Sequence, residues 1–219
     1  MKNRDFKPLV QWCLLVAGIL AIGWIRTGRE SSLWNGLPVQ GDILFVILYL
    51  LWMLVEFRIS RSDVNLEGKS SSDSATCQLY GLGQALTFLS ALWFPSLWQE
   101  PNFAHIAGID LFLFGVSYRL WAIRTLGRFY SHRVQTVAGQ RIVTSGPYRF
   151  SRHPAYGGMI IANAGISLFF PNTVTLCAFL LVLVPAILWR IRIEEKTLFG
   201  VEGYEEFARE RKRLFPGIW

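Results

Sequence analysis

From Ile43 to Phe57 the 219-residue chain presents a single charged residue, Glu56. A run of that kind is hard to place in water. It is one of six: Leu9 to Ile25, Ile43 to Phe57, Cys77 to Trp98, Ile106 to Ile123, Ala155 to Phe170 and Thr173 to Ile193. A helix rises 1.5 Å per residue, so about 20 apolar residues cross a hydrocarbon core of roughly 30 Å, and in lipid only a helix or a closed barrel satisfies its own backbone. The composition agrees, with 52% hydrophobic and only 17% charged residues. The expected fold class is an all-α integral membrane protein of about six transmembrane helices. Its last two spans form a helical hairpin across Pro171-Asn172, and a cytoplasmic loop and a C-terminal helix complete it. Lys2, Arg4 and Lys7 before the first run imitate a signal peptide. The run's length and the lack of a small-residue cleavage site predict a retained first helix.

Charge placement orients these spans, because Lys and Arg accumulate in cytoplasmic loops. With the N-terminus inside, nineteen of the 22 Lys and Arg fall in inner segments, Arg26 and Arg29 fall outside, and Arg119 lies within a span. The formal net charge of +7 is then a topology signal and an attraction to anionic headgroups, so nucleic acid is not needed as a partner. Both termini are expected in the cytoplasm, at a bacterial inner membrane or the endoplasmic reticulum. Cys13, Cys77 and Cys177 lie in apolar runs with no metal or disulfide spacing and read as packing residues. No metal site is expected. Ser60 to Thr76, with SSDS inside it, has linker composition.

The chemistry concentrates after residue 126. The division expected is 1–126, four transmembrane helices, and 127–219, a loop, hairpin and C-terminal segment, within one integrated membrane domain. Val134 to Val137 and Arg141 to Thr144 alternate like extended chain, with a turn at Ala138-Gly139 and another at Ser145-Gly146-Pro147. Then comes GPYRFSRHPAYGG, residues 146 to 158. Arginines and tyrosines beside a span ordinarily serve as interface anchors. His153 before Pro154 is different, because it sets an imidazole at a helix N-terminus, where free N–H groups favour an anion. Glu194-Glu195 near the hydrocarbon boundary are costly without a cation against them.

SHRVQ, IVTSGPYRFSRHPAYGG, a helical hairpin, EE and a terminal LFPGIW together resemble the membrane methyltransferases of the isoprenylcysteine carboxyl methyltransferase and phospholipid methyltransferase superfamily. The resemblance covers about Gly127 to Trp219. It implies S-adenosylmethionine as cofactor, with Gln135, Gln140, Arg141, Ile142, Val143, Tyr148, His153, Pro154, Ala155, Tyr156, Glu194 and Glu195 as candidate cofactor-binding residues. It also implies Arg190 as the catalytic and substrate-binding residue, facing the acceptor carboxylate. Gln140-Arg141 stands where eukaryotic members tend to have His and a small residue, which leaves the acceptor open.

The residue types suit that cofactor. A carboxylate can take its ammonium or ribose, His153 and helix amides its carboxylate, and tyrosine rings its adenine. The function implied is carboxyl O-methylation of an isoprenylcysteine-like or other lipophilic carboxylate that enters from the bilayer. One alternative is methylation of a phospholipid or other small lipophilic amine or thiol. An amine would want a general base, for which His132 and Glu195 are candidates. The other alternative is a non-enzymatic scaffold or permease, against which the absence of two symmetric halves counts.

Overall fold

The structure is a computed structural model that describes residues 7–31, 38–62, 74–98, 100–131, 139, 141–215 and 219. Eight helices are named here: α1 Lys7–Ser31, α2 Pro38–Ser62, α3 Ser74–Trp93, α4 Phe103–Leu126, α5 Pro154–Phe169, α6 Thr173–Cys177, α7 Val184–Leu198 and α8 Tyr204–Glu210. The π-helical Ala178–Leu183 joins α6 to α7 into one rod. Among the described residues three helical stretches are long and apolar enough to cross a membrane: Gln40–Ser60, Phe103–Phe129 and Thr173–Leu198. The expected six spans are therefore met at three positions by length and composition. Helix α2 runs to Ser62 and α3 starts at Ser74, so helix takes over both ends of the segment read as linker.

Local chemistry sets the helix ends. Asn102 accepts from the Ala104 amide at 2.9 Å, and Asn172 from the Thr175 amide at 2.8 Å, opening α4 and α6. Gly127, at φ +56°, closes α4 in the positive-φ range glycine enters without a Cβ penalty. Pro154 occupies the first turn of α5, where no amide is missed. The π-helical turn has a cause in sequence. Pro185 lacks an N–H and its ring crowds the carbonyl four residues back, and one widened turn upstream relieves this. Its last amide, Val184, donates to Phe179, five residues back.

Helices in lipid gain little from burying apolar surface, so close approach has to supply the cohesion. The main seam is α4 on α5. A Cβ at Gly158 would lie 2.6 Å from the Gly115 carbonyl and 2.7 Å from the Arg119 amide, Gly115 and Gly165 are met by backbone at least as tightly, and a Cβ at Gly108 would lie 2.9 Å from the Phe169 amide nitrogen. Gly158 therefore serves α4, where the sequence suggests the hairpin partner. Gly157 faces the Phe215 ring of the returning C-terminal segment instead. At a second approach, a Cβ on Gly83 of α3 would lie 2.9 Å from the Leu183 Cα in the π-helical turn, while one on Gly81 would meet nothing within 4 Å. Between these seams lies an aromatic core, with Tyr49 stacked on Phe88 at 3.5 Å and Phe45 against Phe112 and Phe169 at 4.9 and 4.5 Å.

One expectation changes: Cys13, Cys77 and Cys177 are exposed, since each sits on the outer side of its helix, so they do not pack in the interior. Arg141 to Thr144 has no ladder partner among the described residues, and Val134 to Val137, the other stretch expected to be extended, lies outside them.

Gly158→Ala should lower the melting temperature of the detergent-solubilised protein, by about 1–3 kcal/mol of stability, because backbone and not a flexible tip blocks the new methyl. Gly81→Ala is the control and should not lower it. Equal melting of both variants would remove the seam from its place in the fold.

Candidate functional site

The polar half of the chain lines one cavity that opens to solvent, with an empty space, mouth included, of about 870 Å³. Three pieces of backbone make it. The first is the end of α4 with the 3₁₀ turn Gly127–Phe129, the second runs from Arg141 through the 3₁₀ turn Gly146–Arg149 to the start of α5, and the third is α7 with α8.

The C-terminal segment locks this arrangement. Arg152 and His153 donate their amides to the Lys212 and Arg213 carbonyls at 2.9 and 2.8 Å. Glu195 fastens the same junction through its side chain, accepting from Arg152 Nη1 at 2.6 Å and Arg213 Nε at 2.7 Å, with His153 Nε2 3.3 Å away. A buried carboxylate is tolerable when several donors converge on it, and here they come from two stretches of chain, Arg152-His153 and Arg213.

Arg141, Ile142, Val143, Tyr148, His153, Ala155, Tyr156 and Glu194 come together on the wall. Pro154, Glu195 and Arg190 are not among the lining residues: Pro154 starts α5, Glu195 is the clamp, and Arg190 stands behind the wall. Gln135 and Gln140, like His132, lie outside the described residues. Arg190 is buried and donates through Nε to the Tyr156 hydroxyl at 2.8 Å and through Nη1 to Thr76 Oγ1 of α3 at 3.3 Å. The Tyr156 hydroxyl in turn donates to Glu194 Oε2 at 2.8 Å. Thus the cation and the carboxylate, four residues apart on α7, are joined through a tyrosine of α5.

Sequence reasoning passed over several wall residues, Arg119, Tyr130, Arg152, Tyr204 and Phe207 among them. Arg119 carried a signal, a guanidinium in the middle of an apolar run, which in a membrane marks function or a partner. Its partner is Glu56 of α2, held in a two-pronged pair by Nε to Oε1 at 2.6 Å and Nη2 to Oε2 at 2.9 Å. Trp52 Nε1 adds a donor to Glu56 at 3.1 Å. The remaining guanidinium donors reach the Ala155 carbonyl and the Tyr130 hydroxyl, both at 3.2 Å. Arg119 therefore fixes two sides of the cavity at once. Burial pushes the Tyr148 hydroxyl pKa upward, and the Glu194 charge adds to this, so Tyr148 stays a neutral donor.

Comparison with known proteins follows this geometry. Residues 108–200 match the model of the isoprenylcysteine carboxyl methyltransferase family. Over 133 residues the chain is 35% identical to a probable protein-S-isoprenylcysteine O-methyltransferase of Oryza sativa subsp. indica, covering 58% of this chain and 69% of the relative. Over 176 residues it is 32% identical to protein-S-isoprenylcysteine O-methyltransferase A of Arabidopsis thaliana, covering 73% of this chain and 87% of the relative. The chain belongs to the isoprenylcysteine carboxyl methyltransferase family. Membership makes it a membrane methyltransferase. Its fold matches that of the eukaryotic intramembrane Ras methyltransferase ICMT (isoprenylcysteine carboxyl methyltransferase) with a TM-score of 0.51 at 24% identity, over 68% of this chain and 55% of that one.

Removing one partner of the Glu56–Arg119 pair should be costly. Glu56→Leu leaves Arg119 buried and uncompensated and should destabilise the protein by about 3 kcal/mol, while Glu56→Leu with Arg119→Met should recover at least half of that. Thermal or denaturant unfolding in detergent checks both. Unchanged stability in the single variant would contradict the reading of this pair.

Proposed function

We propose that the chain transfers the methyl group of S-adenosylmethionine to the carboxylate of a lipophilic, isoprenylcysteine-like acceptor at the cytoplasmic face of its membrane. The observation carrying this reading is the Arg190–Tyr156–Glu194 chain of hydrogen bonds. It sets a carboxylate on the cavity wall and a guanidinium one tyrosine behind it, so that two adjacent ligands can be addressed from one helix face. The residues suit the cofactor. Glu194 fits its ammonium or ribose hydroxyls, His153 and Arg141 its carboxylate, and the Tyr148, Tyr156 and Phe207 rings its adenine. The buried Tyr204 hydroxyl, whose proton has no acceptor among the described residues, fits a cavity built to receive a polar molecule.

When bound, S-adenosylmethionine supplies a methyl group made electrophilic by its sulfonium. The chain's own residues then orient and desolvate. Arg190, bonded to Tyr156 and Thr76 in this structure, would exchange those partners to hold the acceptor carboxylate in its planar fork, a role Lys fills poorly because its ammonium is a point charge. A carboxylate is already a nucleophile and needs no general base, so alignment and partial exclusion of water are the main tasks. An amine acceptor would need a base, and Glu195, gripped by Arg152 and Arg213 behind the wall, is poorly disposed to serve as one. That weakens one of the two bases available to the phospholipid reading; His132, the other, lies outside the described residues.

The finer topology belongs to the same proposal. Helices α3 and α5, with α1, complete six spans, 1–126 carrying four of them and 127–219 the methyltransferase core. Both termini are cytoplasmic, in a bacterial inner membrane or the endoplasmic reticulum, and the acceptor arrives from the bilayer.

Arg190→Lys should reduce turnover at least tenfold while changing S-adenosylmethionine affinity less than about threefold, since the fork serves the acceptor. Initial-rate kinetics and calorimetry on the purified protein check this. Full activity in the variant, or parallel loss of cofactor affinity and activity, would contradict the role given to Arg190.

A further inference from the structure

We propose that Tyr204 is a cofactor-binding residue, its hydroxyl donating a hydrogen bond to the nucleoside half of S-adenosylmethionine; this rests on the function proposed above. Tyr204 opens α8 directly after Gly203, whose φ of +81° turns the chain back over the cavity. Its ring is seated edge-on to Phe199 at 5.2 Å and against Phe207 at 5.8 Å, and the residue is 3% exposed. Yet its hydroxyl proton has no acceptor among the described residues.

That hydroxyl is unusual for two reasons. A buried polar atom without a partner is a net cost that a phenylalanine would avoid, and such groups are uncommon in native interiors. The neighbouring cation does not resolve it. Arg152 lies close enough to act on the phenol oxygen both as a charge and as a hydrogen-bond donor, while its Nε and Nη1 donate to the Arg211 carbonyl and to Glu195. A guanidinium accepts nothing, so the phenol proton would still lack a destination. Burial, with the Glu195 and Glu194 charges, holds the phenol pKa above its ordinary value and keeps that proton in place.

The cavity indicates what the proton meets. Tyr204 lines it together with Glu194, so a molecule in the cavity is within the reach of both side chains. Around Tyr204 the wall is apolar and aromatic: Tyr148, Phe207, Ile142, Val143 and Leu198 pack into one cluster with it. The charged groups, Glu194 and His153, suit the amino acid half of the cofactor, and the apolar flank suits a flat purine whose ring nitrogens accept hydrogen bonds. A hydroxyl costly in the empty protein becomes favourable when such an acceptor arrives.

Tyr204→Phe tests this, because a structural and a ligand-binding hydroxyl predict opposite outcomes. Calorimetry would use S-adenosylhomocysteine and 5′-deoxy-5′-methylthioadenosine, which share the nucleoside, alongside the melting temperature of the ligand-free protein. Both affinities should fall about five- to twentyfold, and ligand-free melting should stay the same or rise. Unchanged affinities, a loss confined to S-adenosylhomocysteine, or lowered ligand-free melting with affinities intact would each overturn the assignment. Failure of the unmodified protein to bind S-adenosylhomocysteine would overturn the cofactor reading beneath it, and the assignment with it.

Discussion

The backbone contact between α4 and α5 is the constraint on which the site depends. In lipid there is no water to expel from between helices, so two helices stay together where small residues let their backbones touch. Gly108 and Gly115 on α4 face Gly165 and Gly158 on α5, with clearances too small for any side chain. This contact brings Arg119 beside the Ala155 carbonyl and aims the first turn of α5, with His153 and Tyr156, at the cavity. Arg119 then recruits Glu56 of α2, and Arg190 recruits Thr76 of α3. Helices that carry no recognisable motif thus become the support of those that do.

Charge in this molecule is handled by sharing. Glu195 has Arg152, Arg213 and His153; Arg119 has Glu56; Arg26 at the far end of α1 has Asp42 at 2.7 Å and the Phe170 ring at 5.0 Å. Each group would be expensive alone near hydrocarbon, and each joins segments far apart in sequence. Glu56 and Arg119 are 63 residues apart. The clamp at Glu195 is what lets a short C-terminal segment close the cavity, since α8 is only seven residues long and too short to hold its place by itself.

Much of this was legible where chemistry is local. GPYRFSRHPAYGG announced a helix start at Pro154 with polar residues before it, and Glu194 and Arg190 announced a shared helix face. What stayed hidden depends on partners distant in the chain. Gly157-Gly158 promised close packing, but periodicity cannot say against what, and the partners are α4 for Gly158 and the C-terminal segment for Gly157. Glu195 sits next to Glu194 in sequence, yet one helical step of about 100° turns it from the cavity to the clamp. Arg119 was visible as an anomaly with no role until Glu56 was found opposite it. Tyr204 and Phe207 gave no signal at all, because a tyrosine and a phenylalanine three apart read as an ordinary apolar helix face.

The central claim is methyl transfer to a carboxylate, and the bond formed distinguishes it from the amine and thiol alternatives. Purified protein given S-adenosylmethionine labelled in its methyl group and N-acetyl-S-farnesylcysteine should yield a labelled product that releases volatile methanol on mild base treatment, as a methyl ester does. Label stable to base and recovered in an amine or thioether, or no transfer to any prenylcysteine acceptor while lipid amines are methylated, would contradict the account.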